Sequence, residues 1–191
     1  MRKDKIVFIV GVLLLLGLFV FPLWNITLEA PQYPDSLGMD IWITKITDHN
    51  PNDIKNINLM NHYVGMADIQ LDMIEFTIFP IVISAMIVLG IIIGFTGNKK
   101  LYLTWFIVMI LLGIAGMYDF YLWEYEYGHN LNPHAAIKIP GQAYQPPLIG
   151  SKRILNFNAT SLPAIGAYLM TLGLVLTCIA TFLPIKKKIE K

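Results

Sequence analysis

The chain has 191 residues, of which 55% are hydrophobic and only 14% charged, against roughly 25% charged in an ordinary soluble domain. Its formal net charge of +1 excludes the strongly one-signed surface of a nucleic-acid or acidic-substrate binder. The single cysteine, Cys178, excludes an intrachain disulfide, a two-thiol metal clamp and covalent c-type haem attachment.

The apolar residues arrive in four blocks, from Ile6 to Trp24, Phe76 to Phe95, Leu101 to Met117 and Ala164 to Leu183, none containing a charge. Each approaches the ~20 residues needed to cross a hydrocarbon core, and without water at that depth only helices satisfy their own backbone groups. The expectation is an all-α integral membrane protein with four transmembrane helices, about 6–24, 76–95, 101–123 and 162–183, and two ordered outer segments, 25–75 and 124–161. The first block, led by Arg2, Lys3 and Lys5, also has the layout of a secretory signal. The bulky run Phe21-Pro22-Leu23-Trp24, where small cleavage-site residues would stand, favours a retained anchor.

In the first outer segment, Leu37, Met39, Ile41 and Ile43 alternate with Gly38, Asp40 and Trp42, the pattern of a short strand. Asp48-His49-Asn50-Pro51-Asn52 is turn chemistry. Asn52 or Asp53 then caps a short helix through about Tyr63, and Gly65 stops it. The second outer segment continues the third helix to Gly128, a natural C-terminal stop. Pro133, Pro140, Pro146 and Pro147 impose an extended path afterwards, and residues 151–161 lead back to the membrane.

Nine of the fourteen bases (Arg2, Lys3, Lys5, Lys99, Lys100, Lys186, Lys187, Lys188 and Lys191) flank the blocks, while eleven of the thirteen acids lie in the two long segments between blocks, 25–75 and 118–163. This asymmetry predicts an inner (plasma) membrane protein with both termini cytoplasmic and the long segments outside.

All four histidines lie in those long segments. His49, in a turn rich in Asp and Asn, reads as a solvated polar residue. His62 stands between Met60 and Met66, and on a continuous helix His62 and Met66 share a face at i and i+4. Imidazole with thioether suits copper, the thioether favouring Cu(I), although methionine is also ordinary apolar filler. His129 and His134 are five residues apart and join the candidate ligand set if the two outer segments pack together. Asp119, Glu124 and Glu126 are candidates to orient a ligating histidine from behind, Glu126 with His129 being the sharpest pairing. On a continued helix Asp119, Trp123 and Glu126 share one face, with Glu124 pointing elsewhere. No phosphate loop, nucleophile elbow or His-Glu-x-x-His is present. The absence of ionisable residues from the apolar blocks speaks against a proton relay through the bilayer centre.

Several longer strings carry a resemblance: Ala30-Pro31-Gln32-Tyr33-Pro34, Asn61-His62-Tyr63-Val64-Gly65-Met66, Tyr118-Asp119-Phe120, Tyr127-Gly128-His129, Ile137-Lys138-Ile139-Pro140-Gly141 and Tyr144-Gln145-Pro146-Pro147-Leu148-Ile149-Gly150. In these the chain resembles a family of small multi-pass membrane proteins associated with bacterial gene clusters for nitrous oxide reductase and its copper maturation. Gln142 departs from the pattern, which leads one to expect methionine after Gly141. The resemblance implies a neighbourhood of extracytoplasmic copper enzymes and brings no established ligand or activity with it. The expected function is a non-catalytic accessory protein that binds or passes copper outside, with His62, Met66, His129 and His134 as metal ligands. Its expected partners are the lipid bilayer and an extracytoplasmic copper protein or membrane redox complex, with no nucleic acid. Two rivals remain: a docking or structural subunit of an electron-transfer complex, and a membrane redox enzyme with a proton-transfer site built from Asp119, Glu124, Glu126 and His129.

Overall fold

The structure is a computed structural model that describes residues 2–139, 141 and 143–184. The expectations attached to Pro140, to Gln142 and to the C-terminal lysines lie outside the described residues. The fold is mixed rather than all-α: a helical bundle carries a five-stranded antiparallel sheet of order β3-β2-β1-β5-β4.

Among the described residues three helices, not four, are long and apolar enough to cross a membrane: α3 (Glu75–Thr96), α4 (Lys99–His129) and α5 (Ile165–Phe182). The first block divides into α1 (Lys3–Leu13) and a 3-10 helix, Leu14–Phe19. At 11 residues the α-helical part falls short of the ~20 that a crossing takes. The last residues assigned to that block leave the helix altogether, since Trp24 opens a strand. Phe8, Val12, Leu15 and Leu18 are buried in the bundle core with Met86, Ile87, Tyr102, Trp105 and Met109. Gly11 and Gly173 let α1 and α5 touch backbone to backbone: a Cβ on Gly173 would lie 2.5 Å from the Gly11 carbonyl oxygen. The polar end of the bundle is tied by Asp4, which is buried and takes Arg2 at 2.7 Å and Lys99 at 3.2 Å. Arg2 also donates to the Gly97 carbonyl at 2.8 Å, and Lys99 donates to the Ala180 carbonyl. The N-terminus, the α3–α4 connection and the end of α5 therefore share one end of the molecule, and the sheet occupies the other.

The sheet begins where the bundle stops. In β1 (Trp24–Glu29), Trp24, Ile26 and Leu28 point inward and Asn25, Thr27 and Glu29 outward, the period of two that half-buries a strand. β1 pairs with β2 (Leu37–Ile41), which carries β3 (Ile46–Asp48) on its other edge. On its far side β1 pairs with β5 (Phe157–Pro163) from Trp24↔Pro163 to Glu29↔Asn158, and β4 (Gly150–Ile154) closes the other edge. Residues expected to lead plainly back to the membrane are thus a hairpin, turning through Leu155 at φ +55° and Asn156. The inner face is covered by α2 (Asp53–Val64) and by the upper turns of α4, with Phe120, Trp123 and Tyr127 packed against the core of the sheet. Trp24 fixes this junction, donating to Ser161 Oγ at 2.7 Å and meeting Phe120 edge-on at 5.7 Å.

The N-terminus of α2 is held differently from the expected cap. Asn52 is in the left-handed region at φ 69° and makes no capping bond; Asp48 reaches forward instead, accepting from the Ile54 amide at 2.7 Å. Asp53 is buried and turns back to the sheet, one oxygen accepting from the Gly38 amide at 2.9 Å and the Asn50 amide at 2.8 Å. Hydrogen bonds to a charged acceptor contribute about 1.5–3 kcal/mol each, and truncation strands buried donors. Asp53→Ala is therefore expected to lower the stability of the sheet domain by roughly 3 kcal/mol, read as a fall in the thermal unfolding midpoint of protein in nanodiscs. An unchanged midpoint would remove this link between α2 and β2.

Candidate functional site

At 1.5 Å per residue α4, with 31 residues, is about 46 Å long, well beyond a hydrocarbon core of about 30 Å. The apolar stretch 101–117 meets the need of a bilayer. The turns beyond it serve as the central post of the sheet domain. Two pieces of the second long segment lean on this post. In residues 143–149, the Tyr144 amide donates to the Gly128 carbonyl at 2.9 Å. Residues 131–137 cross to α2, where the Asn132 amide donates to the Gly65 carbonyl at 2.8 Å and the Ile137 amide to the Tyr63 carbonyl at 2.9 Å. The two outer segments are one packed unit.

Within it the proposed ligands separate into two groups. His62 is exposed on α2 while Met66 is buried. The helix ends between them: Gly65, at φ 83°, turns the chain and the Met66 amide closes back on the Asn61 carbonyl at 2.9 Å. This C-terminal turn replaces the shared i, i+4 face and points Met66 into the core. His129 is exposed, stacked on Tyr125 at 4.0 Å, and its Nδ1 donates to the Tyr125 carbonyl at 2.8 Å. A carbonyl only accepts, so the Nδ1 proton is fixed there and Glu126, itself exposed, does not orient that nitrogen. His134 is exposed beside the Asn132 side chain, which accepts from its amide at 2.9 Å. His62 and His134 come to lie on docked elements, α2 and the 131–137 loop. His49 pairs instead with Asp40 at 3.3 Å on the outer face of the sheet. Among the described residues there is no group of three or more His, Cys, Asp or Glu placed to hold a metal ion.

Glu124, expected to point away from the face of Asp119, Trp123 and Glu126, points into the core. It is fully buried, and among the described residues neither carboxylate oxygen has a hydrogen-bond partner; burial alone pushes its pKa up to about 8. The signal was present: Met117, Phe120, Tyr127 and Gly128 mark one inward-facing stripe of α4, and Glu124 falls within it at helical spacing. Asp119 is half-buried. The Tyr127 phenol is likewise pushed upward by burial, and it accepts a hydrogen bond from Asn61 Nδ2.

Between sheet, α2 and α4 lies a cavity of about 40 Å³. Met39 from β2, Met60 from α2 and Met66 line it, among apolar side chains and the mutually bonded Asn61 and Tyr127. A second, open groove of about 670 Å³ runs between the β1–β2 turn and the β4–β5 hairpin, lined by Glu29, Pro31, Tyr33, Pro34, Asp35 and Arg153 among others.

Fold and site together define a bundle of apolar helices, compatible with lipid contact, that carries an antiparallel sheet domain on the end opposite its basic residues. No protein-family model matches the chain, and no curated protein matches it.

Proposed function

We propose that this protein is a membrane-anchored accessory protein that binds or passes copper in its extracytoplasmic sheet domain, in support of a copper oxidoreductase. The observation that favours this reading is the docking of the 131–137 loop on the last turn of α2. It brings the loop that carries His134 to the helix that carries His62 and Met60, with Met66 just past the end of that helix. Imidazole and thioether are copper ligands, and soft sulfur selects the cuprous state. The acidic excess of the outer segments favours cations in general. Nothing in this role requires the chain to catalyse a reaction.

The test is a Cu(I) titration of the full-length protein in nanodiscs under ascorbate, against a chromogenic Cu(I) chelator. Stoichiometric capture is the expected result. Failure to compete at any chelator concentration would end the copper reading. The docking-subunit reading draws on the groove beside Pro31, Tyr33 and Pro34, which belongs to one of the strings that carry the family resemblance. Co-purification of a stable membrane redox complex with metal-free protein, lost on Tyr33→Ala, would favour it over copper handling.

A further inference from the structure

We infer that the cavity lined by Met39, Met60 and Met66 is a cuprous-ion site with thioether ligands, and that the surface histidines are not its ligands. The inference rests on the copper reading above, keeps its cuprous ion, and replaces its imidazole ligands with the thioethers of the cavity.

Three methionines from three different parts of the domain converge on one cavity of about 40 Å³. The rest of its wall offers almost no electron pairs to a cation. Its polar side chains are Asn61 and Tyr127, joined by a hydrogen bond from Asn61 Nδ2 to the phenol, and Tyr144; all three are neutral, and the remaining lining residues are apolar. A divalent ion such as Zn²⁺, Ca²⁺ or Mg²⁺ would have to leave water for a neutral wall without carboxylate, imidazole or thiolate. Its desolvation cost grows with the square of its charge, and nothing there offsets it. A monovalent soft ion carries a quarter of that cost and takes neutral thioether sulfur as a preferred ligand. An apolar cavity also stays dry, so no bound water competes for the ion or assists oxidation.

An entry route is visible. Met60 is only partly buried, and its sulfur already meets the surface, where it accepts from Gln32 Nε2 at 3.5 Å. Met39 and Met66 lie deeper, 4% and 9% exposed. Rotation of the Gln32 side chain frees the outer thioether to receive an ion, which the two inner sulfurs then hold. Gln32 is thereby a positioning residue at the mouth of the site.

The experiment uses full-length protein in nanodiscs in a Cys178→Ala background, so that no thiolate contributes, with Cu(I) under ascorbate competed by the chromogenic chelator. Leucine replaces methionine at near-constant volume. The expected result is tight capture by the parent, about tenfold weaker capture for Met60→Leu, and at least about 100-fold weaker capture for Met39→Leu/Met60→Leu/Met66→Leu. His62→Ala/His129→Ala/His134→Ala should bind as the parent does, and X-ray absorption at the copper edge should show sulfur ligands without imidazole scattering. Should the triple leucine chain not fold, Met60→Leu alone, at a partly exposed position, decides the matter. Copper retained by the methionine variants and lost from the histidine variant would overturn the thioether site while leaving copper handling in place. No capture by the parent would overturn both.

Discussion

Replacing Glu124 with leucine is expected to stabilise the sheet domain at pH 8 and to flatten its dependence on pH. In the folded chain the carboxyl is fully buried without a partner among the described residues, and its pKa rises from the ordinary 4.5 to about 8. The unfolded chain releases this proton above pH 4.5, whereas the folded chain holds it until pH approaches 8. Between those values the unfolded state binds fewer protons, so stability falls as pH rises, by at most about 1.4 kcal/mol per pH unit. The stabilising contribution of the protonated form is complete below pH 4.5 and lost by the time the folded group ionises. At pH 7 the full linkage would be up to about 3 kcal/mol, and nearer half of that once local relaxation and water entry screen the ion. The measurement is the thermal midpoint of wild type, Glu124→Gln and Glu124→Leu in nanodiscs at pH 5 and pH 8, followed by tryptophan fluorescence. Trp24 and Trp123 both pack against the sheet core and report on this domain. Wild type should lose stability over the interval while both variants change less. A parallel pH response in all three chains would mean that Glu124 is not the group responsible.

A buried acid that finds no donor raises the question of why it sits there. Gly128, one turn further along the same face of α4, is pressed against Gln145, and the next two residues of that segment are Pro146 and Pro147. Neither proline has an amide hydrogen to offer a carboxylate. The pair stiffens the 143–149 segment that packs on this face of α4. A neutral carboxyl tolerates that setting far better than an ion does.

How much of this was legible beforehand depends on the range of the interaction. The end of α2 at Gly65, the alternation behind β2 and the length of α3 are written in neighbouring residues, and local patterns expose them. The sheet is not. β1 pairs with β5 across Trp24↔Pro163 and Glu29↔Asn158, partners more than a hundred positions apart. β1 also starts on Trp24, the last residue of an apolar block, and the short alternation of Ile26 and Leu28 with Asn25 and Thr27 passes for the beginning of an outer connection. The β4–β5 hairpin hides for another reason: its turn places Leu155 at φ +55°, where Gly or Asn is the usual signal. Nothing in the run of leucines from Leu13 to Leu16 marks the change from α to 3-10 geometry that splits the first block. The candidate site suffers the same limit, because His62 and Met66 are four apart in sequence but separated by a left-handed glycine.

Gly128→Ala sets two effects of opposite sign against each other, and their sizes decide the outcome. Within a helix, alanine is favoured over glycine by about 1 kcal/mol, so local propensity predicts a gain. A Cβ at this position would lie 2.3 Å from both the amide nitrogen and the Cα of Gln145. Those are backbone atoms, so relief requires the whole 143–149 segment to move, breaking the Tyr144-to-Gly128 hydrogen bond of 2.9 Å. Forced overpacking of this kind costs about 1–3 kcal/mol or more, and the broken bond adds about 1 kcal/mol. The packing terms win, and Gly128→Ala should destabilise the domain by roughly 1–3 kcal/mol. Gly113 and Gly116, on the same helix, have nothing within 4 Å of an added Cβ; alanine there should be neutral or mildly stabilising, which isolates the contact from the propensity. Hydrogen exchange would show the difference as lost protection at Tyr144 in Gly128→Ala alone. Since Tyr144 also lines the methionine cavity, the same variant should loosen the wall of that site. Equal protection at Tyr144 in wild type and Gly128→Ala would mean that the segment is held by its other contacts and that the close approach at Gly128 is not what fixes it.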